Sequence, residues 1–114
     1  MILYGIRNCD TVKKARAWQD AAGVAYDFHD YKTAGVPEAK LRAWVARLGW
    51  DGVLNRSGTT FRKLSDAERS VVAPDAAVAL MLAHPSVIRR PLLDTGETVL
   101  AGFRPDAYSA ALGC

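Results

Sequence analysis

Two cysteines in 114 residues, Cys9 and Cys114, leave no CxxC pair and no Cys/His spacing suited to zinc, so neither a disulfide framework nor a metal centre is indicated. Both thiols are expected to be free. No stretch reaches the ~18 to 20 apolar residues of a membrane helix. The opening MILYGIRNCD has neither the length nor the small-residue cleavage site of a signal peptide, so no membrane role and a cytoplasmic location are expected. Runs of like charge are also missing: fifteen basic residues stand against twelve acidic ones, scattered along the chain for a net +3. That pattern suits a small anionic ligand better than direct binding to nucleic acid. The two histidines, His29 and His84, have no partner at ligand or triad spacing. No internal repeat, low-complexity tract or flexible linker interrupts the chain.

What is present is ordinary for a globular fold. Half of the residues are apolar and about a quarter charged, which suffices for one hydrophobic core and argues against disorder. The length is too short for two independent cores, so a single domain spanning residues 1–114 is expected, as a monomer.

Apolar Ile2 to Ile6 reads as a strand that breaks at Arg7-Asn8-Cys9-Asp10. Val12, Ala15, Trp18, Gln19 and Ala22 then recur at helical spacing, and Gly23 closes the helix. Val24 to His29 alternates as a second strand, completing a βαβ unit. From Tyr31 to His84 the pattern is helical and offers no strand. Leu41, Trp44, Val45 and Leu48 share a face between Pro37 and Gly49, Ser65-Asp66-Ala67-Glu68 fits a capping box, and an Ala/Leu-rich helix runs from Pro74 to about Ala83. Val87-Ile88 and Pro91-Leu92-Leu93 follow. A turn at Asp94 to Glu97, a run from Thr98 to Ala101 and a last helix after Pro105 finish the chain. The order βαβ-(α)n-ββα predicts an α/β fold, one mixed sheet with helices on its faces.

Cys9 falls in the loop between the first strand and the first helix. Unpaired N–H groups and the helix dipole there favour a thiolate, which makes the position a reactive one. Free cysteines are also common as small buried apolar residues, and that reading stays open beside the first. The polar neighbours Asn8, Asp10 and Thr11 weigh against burial.

YGIRNCDTVKKA, VLNRSGTTFRKL, HPSVIRRPLL and GFRP, in that order, resemble the ArsC family of glutaredoxin-coupled arsenate reductases across essentially the whole chain. The likeness is strongest to the short YffB-like branch of proposed glutathione-dependent thiol reductases. The resemblance implies a thioredoxin-like fold, with about residues 1–33 and 85–114 forming the thioredoxin-like part and about 34–84 a helical insertion. It makes Cys9 the nucleophile and Arg56, Arg90 and Arg104 the grip on an oxyanion, with Asn8 and Thr11 beside them. Such guanidinium groups offer permanent, bidentate donors to a tetrahedral dianion and would lower the thiol pKa. It also matches Arg90-Pro91 to the place of a cis-proline facing the nucleophile; if cis, the backbone there could pair with an extended thiol such as glutathione, and an ordinary trans proline at a strand start is the other reading.

Two departures bear on the substrate. Val12 stands where a CxxC would have its second cysteine, so resolution must come from another thiol: Cys114 is one candidate within the chain, while the resemblance implies glutathione as reducing co-substrate and glutaredoxin as a possible partner; no bound cofactor is expected. Asp10 replaces the glycine of a C-G-T sequence, and its carboxylate would repel a dianion. The reading is therefore a reductase whose Cys9 thiolate attacks an oxyanion or a disulfide. The related Spx branch, which regulates transcription by contacting RNA polymerase, supplies a rival, and a non-catalytic binding module supplies another.

Overall fold

The computed structural model describes residues Met1–Cys114. In order, the elements are β1 (Ile2–Gly5), α1 (Asp10–Ala21), β2 (Asp27–Asp30), α2 (Tyr31–Ala34), α3 (Glu38–Leu48), α4 (Trp50–Val53), α5 (Thr59–Arg62), α6 (Asp66–Arg69), α7 (Pro74–Ala83), a 3-10 turn at Pro85–Val87, β3 (Leu92–Asp94), β4 (Val99–Ala101) and α8 (Pro105–Leu112). They divide into two compact units, Met1–Gly35 with Arg90–Cys114, and Val36–Arg89.

The first unit holds a mixed sheet in the order β2-β1-β3-β4, in which β1 runs parallel to β2 and antiparallel to β3, and β3 antiparallel to β4. This is the α/β, thioredoxin-like class expected. Alternation along β1 sends Leu3 to one face, opposite Leu93, where both are fully buried with Ala15 of α1 and Tyr108 of α8. Trp18, Phe103 and Leu112 pack around that cluster, with Trp18 and Phe103 each edge-on to Tyr108.

Helix α1 lies close against β1 at a glycine. A Cβ on Gly5 would stand 2.8 Å from Cγ2 of Val12, a fully buried β-branched residue with little rotamer freedom. Gly5→Ala is accordingly expected to destabilise the fold by about 1–3 kcal/mol, the usual cost of overpacking, seen as a lower urea midpoint at unchanged slope.

The second strand begins later than its sequence alternation suggests. Val24 to Tyr26 stay out of the ladder, which starts at Asp27. Gly23 at φ +72° and the N–H groups of Gly23 and Val24, bonded to the carbonyls of Asp20 and Gln19, are still finishing α1. The chain leaves the sheet at Asp30, whose carboxylate accepts from the Lys32 N–H and caps α2.

In the second unit, α3 packs on α7 and α4. Leu41, Trp44 and Val45 face inward along with Val78 and Met81 of α7. The capping box forms as read: Ser65 Oγ accepts from the Glu68 N–H at 3.2 Å, and Glu68 Oε1 from the Ser65 N–H at 3.1 Å. The free carboxylate oxygen of Glu68 meets His84 Nε2 at 2.8 Å. The helical block holds no strand, as read, although one of its residues makes a bridge. Leu54 and Ile88 form an isolated antiparallel bridge, flanked by Asn55 N–H to Val87 O at 2.7 Å and Arg89 N–H to Val53 O at 2.8 Å. A single bridging residue has no periodicity to betray it.

Candidate active site

Cys9 is the N-cap residue of α1, in extended conformation at φ −123° and ψ 127°. Its carbonyl accepts the Lys13 N–H at 2.9 Å, which begins the helix, and its side chain makes no regular capping bond. The half-buried sulfur feels opposed influences. Burial raises its pKa, whereas the N–H of Val12, the Arg90 guanidinium by hydrogen bond and charge, and the N–H of Thr11 lower it; together these outweigh the burial, leaving the thiol below its ordinary value.

Strand pairing explains how Arg90 arrives there. Tyr4 near the end of β1 pairs with Leu92 at the start of β3. Because the two strands are antiparallel, the residues preceding Leu92 continue alongside those following Tyr4, towards the loop that holds Cys9. The Arg90–Pro91 bond is cis, and the Pro91 carbonyl accepts the Gly102 N–H at 2.8 Å.

A lowered thiol pKa ties stability to pH with a definite sign. The thiolate contribution is fully present above the unfolded thiol's pKa of ~8.5 and is lost as pH falls through the lower folded-state value. Denaturation midpoints between pH 9.5 and pH 6 should therefore fall by a margin that Cys9→Ala lacks.

The other sequence candidates are placed as follows. Asn8 is exposed, and Thr11 contributes its backbone N–H to the thiolate while its side chain faces solvent. Arg104 is not among the groups acting on the thiol: as N-cap residue of α8 its side chain is 76% exposed and pairs with Asp106 of the first turn at 3.3 Å. Arg56 belongs to the second unit, where its guanidinium lies 5.4 Å from the Trp50 ring centroid. Beside it, Asn55 Oδ1 accepts from both the N–H and the hydroxyl of Ser57. Asp10 is exposed as the first residue of α1. Fully buried Val12 occupies the position of a second CxxC cysteine. Cys114 is exposed.

Sequence reasoning missed an aromatic group on the sheet face opposite Leu3. Tyr4 and His29 sit side by side in the β1–β2 register with ring centroids 5.0 Å apart, and Tyr31 stacks on Tyr4 at 6.3 Å and 20°. Tyr31 is 2% exposed, and burial pushes its phenol pKa far up, with Tyr4 raising it further and Arg90 lowering it. The available signal was alternation from Leu3 to Gly5 opposite Phe28 to Asp30, which puts Tyr4 and His29 on one face; Tyr31 lies beyond the strand and gave none. No cluster of three His, Cys, Asp or Glu side chains is arranged to hold a metal. A groove of about 420 Å³ around Arg16, Tyr26 and Phe28 is not lined by Cys9. No helix is long and apolar enough to cross a membrane.

Residues 4–111 match the ArsC family. A solved structure described as the YFFB protein is 57% identical, with a TM-score of 0.94 over 97% of each chain. A second, described as an arsenate reductase (ArsC) related protein from Brucella melitensis, is 44% identical, with a TM-score of 0.76 over 99% of this chain and 94% of its own. An uncharacterised Haemophilus influenzae protein is 33% identical over 96% of both chains. The global transcriptional regulator Spx of Streptococcus mutans is 24% identical over 92% of this chain and 77% of its own.

Proposed function

Because the chain belongs to the ArsC family, we propose that it is a thiol-dependent reductase whose nucleophile is Cys9 and whose reducing co-substrate is glutathione. The single observation that carries this reading is the Arg90 guanidinium beside the Cys9 sulfur, at the amino end of α1, with the thiol pKa lowered. Such a sulfur is a better nucleophile than an ordinary thiol and sits beside a fixed cation that attracts an anionic substrate.

Two substrates suit it. With a disulfide, the thiolate attacks one sulfur, the other leaves as a thiolate, and glutathione attacks the mixed disulfide to restore Cys9. With arsenate, the thiolate displaces one oxygen as water to form a Cys9 S–As bond; one glutathione thiol displaces a second oxygen as water, another attacks that glutathione sulfur to leave as the disulfide while arsenic takes two electrons, and water cleaves the Cys9 S–As bond to release arsenite and the thiol. Arg90 holds the charge in both. Arg104 joins the grip in this reading and must leave Asp106 to do so. Asn8 and Thr11 line the approach, and the Arg90-Pro91 segment receives glutathione, with glutaredoxin as a possible electron donor. A reducing cytoplasm would supply both thiols.

Steady-state assays with glutathione, run separately on arsenate and on a glutathione mixed disulfide, test the proposal and name the substrate. Turnover of neither, by protein whose Cys9 is alkylatable, rejects it. The Spx relatives raise a regulatory alternative, for which co-purification with RNA polymerase subunits is the corresponding result. Val12 weighs against a CxxC switch of any kind.

A further inference from the structure

Tyr31 is a buried hydroxyl with nothing to bond. Its Oη exposes less than 1 Å² and has no hydrogen-bond partner, although the ring is firmly held, stacked on Tyr4 and edge-on to His29 at 6.0 Å. Its neighbours are themselves anchored. His29 Nε2 meets the Gly35 carbonyl at 2.7 Å, and Asp30, the preceding residue, caps α2. A tyrosine serving only as packing would be outdone here by phenylalanine, since an unsatisfied buried hydroxyl is costly and uncommon in native folds. The guanidinium that acts on Tyr31 is that of Arg90, the same group that acts on Cys9.

We propose that the Tyr31 hydroxyl is a ligand-binding donor held in reserve, hydrogen-bonding to an oxygen of the anion that Arg90 secures beside Cys9. This deepens the reductase reading and rests on it. A phenol O–H donates to an oxygen anion and has little to offer the sulfurs of a disulfide, so Tyr31 would favour oxyanions over disulfides. Because the hydroxyl exposes less than 1 Å², a ligand oxygen reaches it only by displacing the side chains that cover it.

The test is Tyr31→Phe in a Cys114→Ser background, reading thermal stability and the protection of Cys9 from iodoacetamide by arsenate and by sulfate. The isosteric change keeps the ring and removes only the oxygen. Tm should rise, because an orphaned polar atom is gone, while the anion concentration giving half-protection should increase about tenfold or more, as for a lost hydrogen bond to a charged acceptor. Unchanged protection, with wild type protected normally, overturns the role of Tyr31 and leaves the reductase reading standing. A fall in Tm also overturns it, since the hydroxyl would then be satisfied by a structural water. Absence of protection in the wild type removes the oxyanion site and the proposal together; turnover of the mixed disulfide then shows whether the reductase reading survives.

Discussion

Cys9→Ser should reduce glutathione-dependent turnover to the uncatalysed background, a loss of at least roughly a thousandfold given that enzymes accelerate reactions by about a millionfold or more. The serine keeps the size and the N-cap position and even improves local capping, because a hydroxyl accepts backbone N–H bonds better than a thiol does. Stability should therefore hold or rise while activity vanishes. What serine cannot provide at neutral pH is the anion: its hydroxyl has no general base beside it, whereas the sulfur has the N–H groups of Val12 and Thr11 and the Arg90 guanidinium to stabilise its charge. Steady-state turnover and intact-protein mass after incubation with a disulfide check both halves. Residual activity within tenfold of wild type would place the chemistry elsewhere.

Arg90→Ala should lower turnover by about a hundredfold to a thousandfold, the cost of removing one preorganised donor from a developing charge. The same change should move the pH midpoint of Cys9 alkylation upward, because both the hydrogen bond and the charge that favour the thiolate leave together while the burial that opposes it stays. Arg90→Lys separates the two contributions. It keeps the charge but not the planar fork, so the alkylation midpoint should shift less than in the alanine variant while turnover on a tetrahedral anion remains well below wild type. An alkylation midpoint in Arg90→Ala equal to that of wild type would show that α1 alone activates the thiol.

Much of the fold could be read without coordinates, and the reasons are local. The break at Arg7 to Asp10, the stop at Gly23 and the reciprocal bonds of Ser65 and Glu68 each depend on residues within a turn of one another, so their sequence patterns carry the information directly. The errors lie where local rules compete. Val24 to Tyr26 have strand-like alternation, yet the ladder starts only at Asp27, because Gly23 and Val24 still bond back to the end of α1. The four-residue helices α2, α4 and α5 are too short to show a period, and their burial is set by what packs over them.

For the site, the sequence by itself determined that a cysteine stands at the amino end of the opening helix and that arginines precede prolines at positions 90 and 104. It could not distinguish those two arginines, because each has the same local setting. Only the tertiary structure separates their surroundings: the antiparallel pairing of β3 with β1 carries Arg90 to the sulfur, while Arg104, at the head of α8, pairs with the nearby Asp106. Tyr31 became visible for the same reason. An unsatisfied hydroxyl is a property of everything packed around it, and no stretch of chain encodes that alone.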